Sequence, residues 1–171
     1  MKNNKDAPFT TTLLHQAADP FRLLVESVKD YAIYLLDPEG TVVSWNSGAE
    51  RCNGYTAVEM LGQPFGQLFT AEDVASGKPR DVMDAALADG RCEVESMRTR
   101  KDGSHFLAIL TVTALREYDR DVGFAVITRD ITERRRVEEA LGASEARFRL
   151  LVDSIDDYAI FMLDINGTVQ T

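Results

Sequence analysis

The chain has 171 residues, 44% of them hydrophobic and 27% charged, which is the composition of a globular rather than a disordered protein. Nineteen basic residues face 28 acidic ones, and a net charge of −9 argues against a nucleic-acid partner or an anionic membrane surface, both of which are bound through Lys and Arg. Cys52 and Cys92 are too few for a disulfide framework, no apolar run approaches a membrane segment, and the first residues do not read as a secretory signal, so a cytoplasmic location is expected.

In chain order, Asp19-Pro20 reads as an N-cap followed by proline at the first helical position. Leu14, Ala17, Phe21, Leu24 and Val28 recur every three or four residues across that junction, an apolar helical stripe. Strands are expected over 31–36 and 41–45, joined by the turn Asp37-Pro38-Glu39-Gly40. Short helices follow, capped by Asn46, by a capping box over Thr56-Ala57-Val58-Glu59, and by Thr70; another spans 79–88 and ends at Gly90. Two long strands, 91–100 and 104–115, meet at Lys101-Asp102-Gly103-Ser104, where Asp-Gly signals a hairpin, and a last strand covers 122–129. Asp130-Ile131-Thr132-Glu133 then opens a long charged helix. Strand, strand, helices, three strands make an α+β fold: a five-stranded antiparallel sheet with short helices on one face, an N-terminal helix and a C-terminal helix.

An internal repeat divides the chain. The segment 21–37 returns 127 positions later as 148–164, and Gly40-Thr41-Val42 returns as Gly167-Thr168-Val169, so that fifteen of twenty-two aligned positions are identical. The expected organisation is an extension with a helix over 1–20, a complete unit over 21–130, a linker helix over 131–155, and the truncated start of a second unit over 156–171.

Trp45-Asn46 leading to Gly54-Tyr55, Glu59-Met60-Leu61-Gly62, Arg100-Lys101-Asp102-Gly103-Ser104 and the closing Arg129-Asp130-Ile131-Thr132-Glu133 resemble the PAS (PAS/PAC sensory box) family. In that order and spacing they resemble the N-terminal sensor part of a bacterial multi-PAS signalling protein such as a sensor histidine kinase. The resemblance implies a sheet cupping a small pocket, and a module that senses or dimerises upstream of an output domain. It places Asp130, Ile131 and Thr132 at the transfer of signal from the sheet to the following helix. Light-sensing relatives carry a reactive cysteine where this chain has Phe65, in Gly62-Gln63-Pro64-Phe65, and the residues standing where flavin is gripped are Arg98, Ala108 and Thr128. Haem-binding relatives need a histidine on the helix over 79–88, which has none. A light-reactive flavin and histidine-ligated haem are therefore not expected; a tightly held FAD, with Trp45 against its ring, or another small ligand stays open.

Strand alternation can be read without the family. Phe106, Ala108, Leu110, Val112 and Ala114 make one apolar face, and the opposite face, with Leu107, Ile109, Ile33, Leu35 and Ile127, is also partly apolar. One face should line a pocket, whose expected lining is Tyr34, Leu36, Trp45, Phe65, Met83, Arg98, Phe106, Ala108, Leu110 and Thr128. The other needs the amino-terminal helix or a second copy. Arg98 is unusual on an inward face: a guanidinium there suits a carboxylate ligand, or else it reaches solvent or an acidic neighbour. In the last helix Val137, Leu141, Ser144, Phe148, Leu151 and Ile155 alternate four and three apart, the seam of a parallel coiled coil, and with Phe21, Leu24 and Val28 they would hold a homodimer. No nucleophile with its base, metal-ligand spacing or phosphate loop appears, so no enzyme activity is expected. The reading is a sensory and dimerising module passing a signal to a coiled-coil helix. Its alternatives are a purely structural interaction module without ligand and a non-covalent FAD redox sensor; a pocket filled by large side chains would favour the former.

Overall fold

The computed structural model describes residues 19–118 and 120–153, then 162, 163, 165 and 168–170. They fall into two compact units, the first ending at Ile131 and the second beginning at Thr132.

In the first unit, the Asp19 carboxylate accepts the Arg22 N–H at 2.9 Å, and with Pro20 at the first turn it starts helix α1 (Pro20–Ser27). Val28 lies past the end of α1 in extended backbone, so it does not share the helical stripe of Phe21 and Leu24; its carbonyl instead accepts from Asn46 at 3.2 Å. Leu14 and Ala17 lie outside the described residues.

Four strands form an antiparallel sheet in the order β1 (Ala32–Leu36), β4 (Arg120–Asp130), β3 (His105–Glu117), β2 (Arg91–Thr99). The first strand thus lies beside the last. The expected fifth strand over 41–45 is reduced to single bridges, Leu36 opposite Val42 and Thr41 opposite Pro64. The physical reason lies in two side chains. Val43 and Asn46 donate backbone N–H groups to the carbonyls of Leu35 and Ile33 at 2.9 and 3.2 Å, as a strand would. The return bonds, however, run from the N–H groups of Leu35 and Ile33 to Ser44 Oγ and Asn46 Oδ1, both at 2.9 Å, rather than to carbonyls. Side-chain oxygens satisfy the edge of β1, and the regular ladder stops.

Asn46 is buried and does more. Its Oδ1 also accepts the Ala49 N–H at 2.8 Å, capping helix α2 (Ser47–Asn53), and its amide nitrogen donates to the carbonyls of Val25, Val28 and Tyr31. This close docking needs Gly48, where an added Cβ would lie 2.0 Å from the Tyr31 carbonyl oxygen. Helices α3 (Ala57–Met60) and α4 (Ala71–Ala75) begin at the expected Thr56–Glu59 capping box and Thr70 cap, with a 3₁₀ turn over Phe65–Leu68 between them. Helix α5 (Lys78–Asp89) leads into β2.

The sheet register places Tyr34 beside Val126, Leu36 beside Phe124, Leu110 between Val94 and Thr128, and Arg98 beside Phe106. These residues share one face, and the helices supply Ala49, Met60, Phe65, Leu68, Val82, Met83 and Ala86 to close the core over it. Each fully buried large apolar side chain contributes about 1.5–3 kcal/mol relative to exposure. The opposite face is barer: Leu35 and Ile127 remain 39% and 41% exposed.

In the second unit, helix α6 (Thr132–Asp153) is a single 22-residue helix. Two further short strands, β5 (Met162–Leu163) and β6 (Val169–Gln170), pair antiparallel. The side chains of Leu151 and Ile155, expected in the seam, lie outside what is described, as does most of the turn over 164–167.

Candidate functional site

All ten residues expected to line a pocket are buried, but they do not form one uniform lining. Tyr34 lies 4.9 Å from Trp45 and 6.3 Å from Phe65, and Phe65 meets Phe69 edge-on at 4.9 Å. Trp45 is fixed by donating its indole N–H to the Tyr55 carbonyl at 2.9 Å. Leu36 and Leu110 join the apolar core beside them. Met83 is buried as well. Its sulfur and terminal methyl lie 3.1 and 3.0 Å from where a Cβ on Gly40 would stand, so it seals helix α5 onto the β1 turn. Phe106, also buried, has its ring under the Arg100 guanidinium at 4.0 Å. Ala108 and Thr128 floor the same face of the sheet.

Arg98 is the exceptional residue. It is 0% exposed, so it does not reach solvent, and among the described residues no carboxylate pairs with it. Its guanidinium lies 3.8 Å from the Phe69 ring and 5.1 Å from the Phe65 ring. Nη2 donates to the Tyr34 hydroxyl at a long 3.5 Å, while Nε and Nη1 have no acceptor. Thr128 Oγ1, on the same sheet face, is buried and faces the Tyr34 hydroxyl. Burial pulls the Arg98 pKa down and pushes the Tyr34 hydroxyl up, the Arg98 charge opposing the latter. Phe69, which the sequence reading passed over, pairs its backbone with Arg98 and covers the guanidinium. Its only signal was the aromatic at Phe65 four positions earlier, and the segment between is not an α-helix.

A second constellation sits at the end of the sheet. Arg100 donates to the Cys52 carbonyl at the end of α2, stacks on Phe106, and pairs with the Asp130 carboxylate at 2.5 Å. Next to it the Ile131 N–H donates to the Leu107 carbonyl at 2.9 Å, and helix α6 starts at Thr132. The Cys52 thiol is pushed up by burial, with Arg100 opposing, so it is a poor nucleophile near neutral pH.

The seam residues Val137, Leu141 and Phe148, and Phe21 and Leu24 of α1, are exposed in the single chain. Among the described residues no group of His, Cys, Asp and Glu could hold a metal ion, and no helix is long and apolar enough to cross a membrane.

The PAS domain family model matches residues 30–133. "Two-component system protein A" of Emericella nidulans is 38% identical over 90% of this chain, and "Cell-division control histidine kinase PdhS" of Brucella ovis is 28% identical over 75% of it. The chain spans 22% and 12% of the lengths of these relatives. Among solved structures, the PAS domain of a Colwellia psychrerythraea protein superposes with a TM-score of 0.61 at 28% identity, covering 71% of this chain and 98% of its own. The cupped sheet, the helices closed over its inner face and this match together identify the chain as a member of the PAS domain family, sensory modules of signalling proteins.

Proposed function

We propose that this chain is the sensory and homodimerising module of a longer two-component signalling protein, and that it passes the state of its interior to the helix beginning at Thr132. The position of Arg100 carries the reading. One guanidinium holds the end of α2, which lies over the interior, and the carboxylate two residues before α6. A displacement of α2 moves the Cys52 carbonyl and with it the charge that steadies Asp130. Loosening Asp130 in turn loads the Ile131–Leu107 bond, the last sheet contact before the helix.

A second copy is the partner that the exposed apolar residues suit. Leu35 and Ile127 on the outer sheet face, Phe21 and Leu24 on α1, and Val137, Leu141 and Phe148 on α6 would all be removed from water in a parallel dimer. The output domain would belong to the same longer protein. Phe65 in place of a thiol, and a helix α5 without histidine, favour a domain that works without light-reactive flavin or histidine-ligated haem. The aromatic filling by Tyr34, Trp45, Phe65 and Phe69 supports a second reading, an interaction module with no ligand.

Replacing Asp130 by Ala tests the relay. Amide exchange over residues 131–139 should rise roughly five- to tenfold, the loss expected for one part-buried ion pair and its ordering of the helix start. Protection in β3 and β4 should stay. Unchanged exchange over 131–139 would sink the relay.

A further inference from the structure

We propose that the interior of this domain binds a small monoanionic carboxylate on Arg98, beside the hydroxyls of Tyr34 and Thr128. This deepens the sensory reading by naming the chemical class of its input. A guanidinium is never deprotonated in a protein, and taking its charge out of water without a counter-ion is costly. Here it is fully buried, and the hydrogens on Nε and Nη1 meet no acceptor. The Phe69 ring at 3.8 Å offsets part of the charge but accepts none of these hydrogens in its plane. Asp73, the carboxylate nearest in influence, is held by Lys78 at 3.1 Å and by Ser96 Oγ at 3.3 Å.

A carboxylate answers these deficits together. It supplies one negative charge, two planar oxygens that match a guanidinium fork, and lone pairs for the Thr128 hydroxyl, which lies beside that of Tyr34. A single cation, with no second Lys or Arg beside it among the described residues, suits one charge rather than the two of phosphate. Ala108, the smallest side chain on this part of the sheet, lies between Ser96 and the strand end at Asp130, and the rings of Phe65 and Phe69 lie against the guanidinium. Ser96, the next inward residue along the strand from Arg98, lines a groove at the edge of β2 with Thr70, Glu72, Asp73, Lys78 and Glu95. Arg98 also stands two residues before Arg100, which places an anion there within one strand step of the relay.

The test titrates the 171-residue chain with sodium acetate, propionate and benzoate, against sodium chloride and sodium phosphate at matched ionic strength. Trp45, 4.9 Å from Tyr34, reports by fluorescence, and the melting temperature is read alongside. At least one carboxylate should give a saturable fluorescence change and raise the melting temperature by about 10 °C at about a hundredfold excess over Kd. Arg98→Met should lose the response. Arg98→Lys, which keeps the charge without the fork and serves also if the Met variant does not fold, should bind roughly tenfold more weakly. Response to none of the carboxylates, an equal response to phosphate, or undiminished affinity in the folded variants would overturn the proposal. Asp130→Ala should bind with unchanged affinity, so a failed relay and a failed ligand site give different results.

Discussion

The same phrase of sequence occurs twice in this chain and meets two different fates. In the first copy, Asp19 and Pro20 start α1. At the equivalent positions of the second copy stand Ala146 and Arg147, neither a cap nor a helix starter, and α6 runs straight through them from Thr132 to Asp153. The hairpins nevertheless keep one register. Leu36 lies opposite Val42, and Leu163, its equivalent, lies opposite Val169. Local sequence thus sets which residues pair across the turn. What the hairpin becomes depends on its surroundings: β1 goes on to pair along its whole length with β4, and Ser44 and Asn46 bind its other edge. The described strands of the second copy pair with one another.

Breaking the knot that distinguishes the first copy should have the largest effect. Asn46→Ala removes the α2 cap, an acceptor for the Ile33 N–H, and a donor shared by the carbonyls of Val25, Val28 and Tyr31. Loss of a cap and of several buried partners together should cost about 3 kcal/mol in urea unfolding of the first unit. A loss below about 1 kcal/mol would mean that water replaces the side chain without penalty, and that the hairpin holds its place for another reason.

Much of this was legible beforehand, for a physical reason. Caps, turns and strand parity are local, so Asp19, Asn46, the Thr56–Glu59 box and the inward face bearing Arg98 could be read from spacing. Depth is not local. Alternation put Arg98 on the inner face but could not say that its whole guanidinium is enclosed, because that depends on where the irregular stretch carrying Phe65 and Phe69 falls. For the same reason alternation could not say that Met83 packs at Gly40 or that Phe106 lies under Arg100. The missing strand over 41–45 turns on Ser44 and Asn46 taking amides with their side chains, a choice that β-propensity does not encode.

The second copy can be made to resemble the first. Ala146→Asp together with Arg147→Pro rebuilds the helix start inside α6. Proline there costs the continuous helix about 3 kcal/mol, since it removes an N–H and clashes with the preceding turn. Amide protection should fall over residues 143–147 with the first unit unchanged. If the α6 seam pairs two copies, sedimentation should show the dimer weakened by the same change, because Leu141 and Phe148 would no longer lie on one helix. Full retention of protection would show that surroundings, not the pair at 146 and 147, keep the second helix continuous.

The smallest expected effect compares the two units under acid. Glu59, in the capping box of α3, is held at about 2 by hydrogen bonds from Lys101 and Thr56, and Glu138, on α6, is lowered by Arg134. Both are carboxylates whose folded pKa is depressed. Their contribution is therefore complete above the ordinary glutamate value, and for Glu59 it is lost progressively as pH falls from about 4.5 towards about 2. Glu59 is an exposed surface group, so the effect is small and screened by salt. Glu59→Gln keeps the shape of the box but removes the titrating charge. The melting temperature of the first unit should then lie slightly below that of the wild type at pH 5 and low salt, with the gap closing as pH is lowered through that window. Glu138→Gln should leave the melting of the first unit unchanged at every pH and alter only the exchange of α6, since its partner Arg134 lies on the same helix four residues away. A gap for Glu59→Gln that persists at pH 2 would assign the loss to packing of the box rather than to its charge.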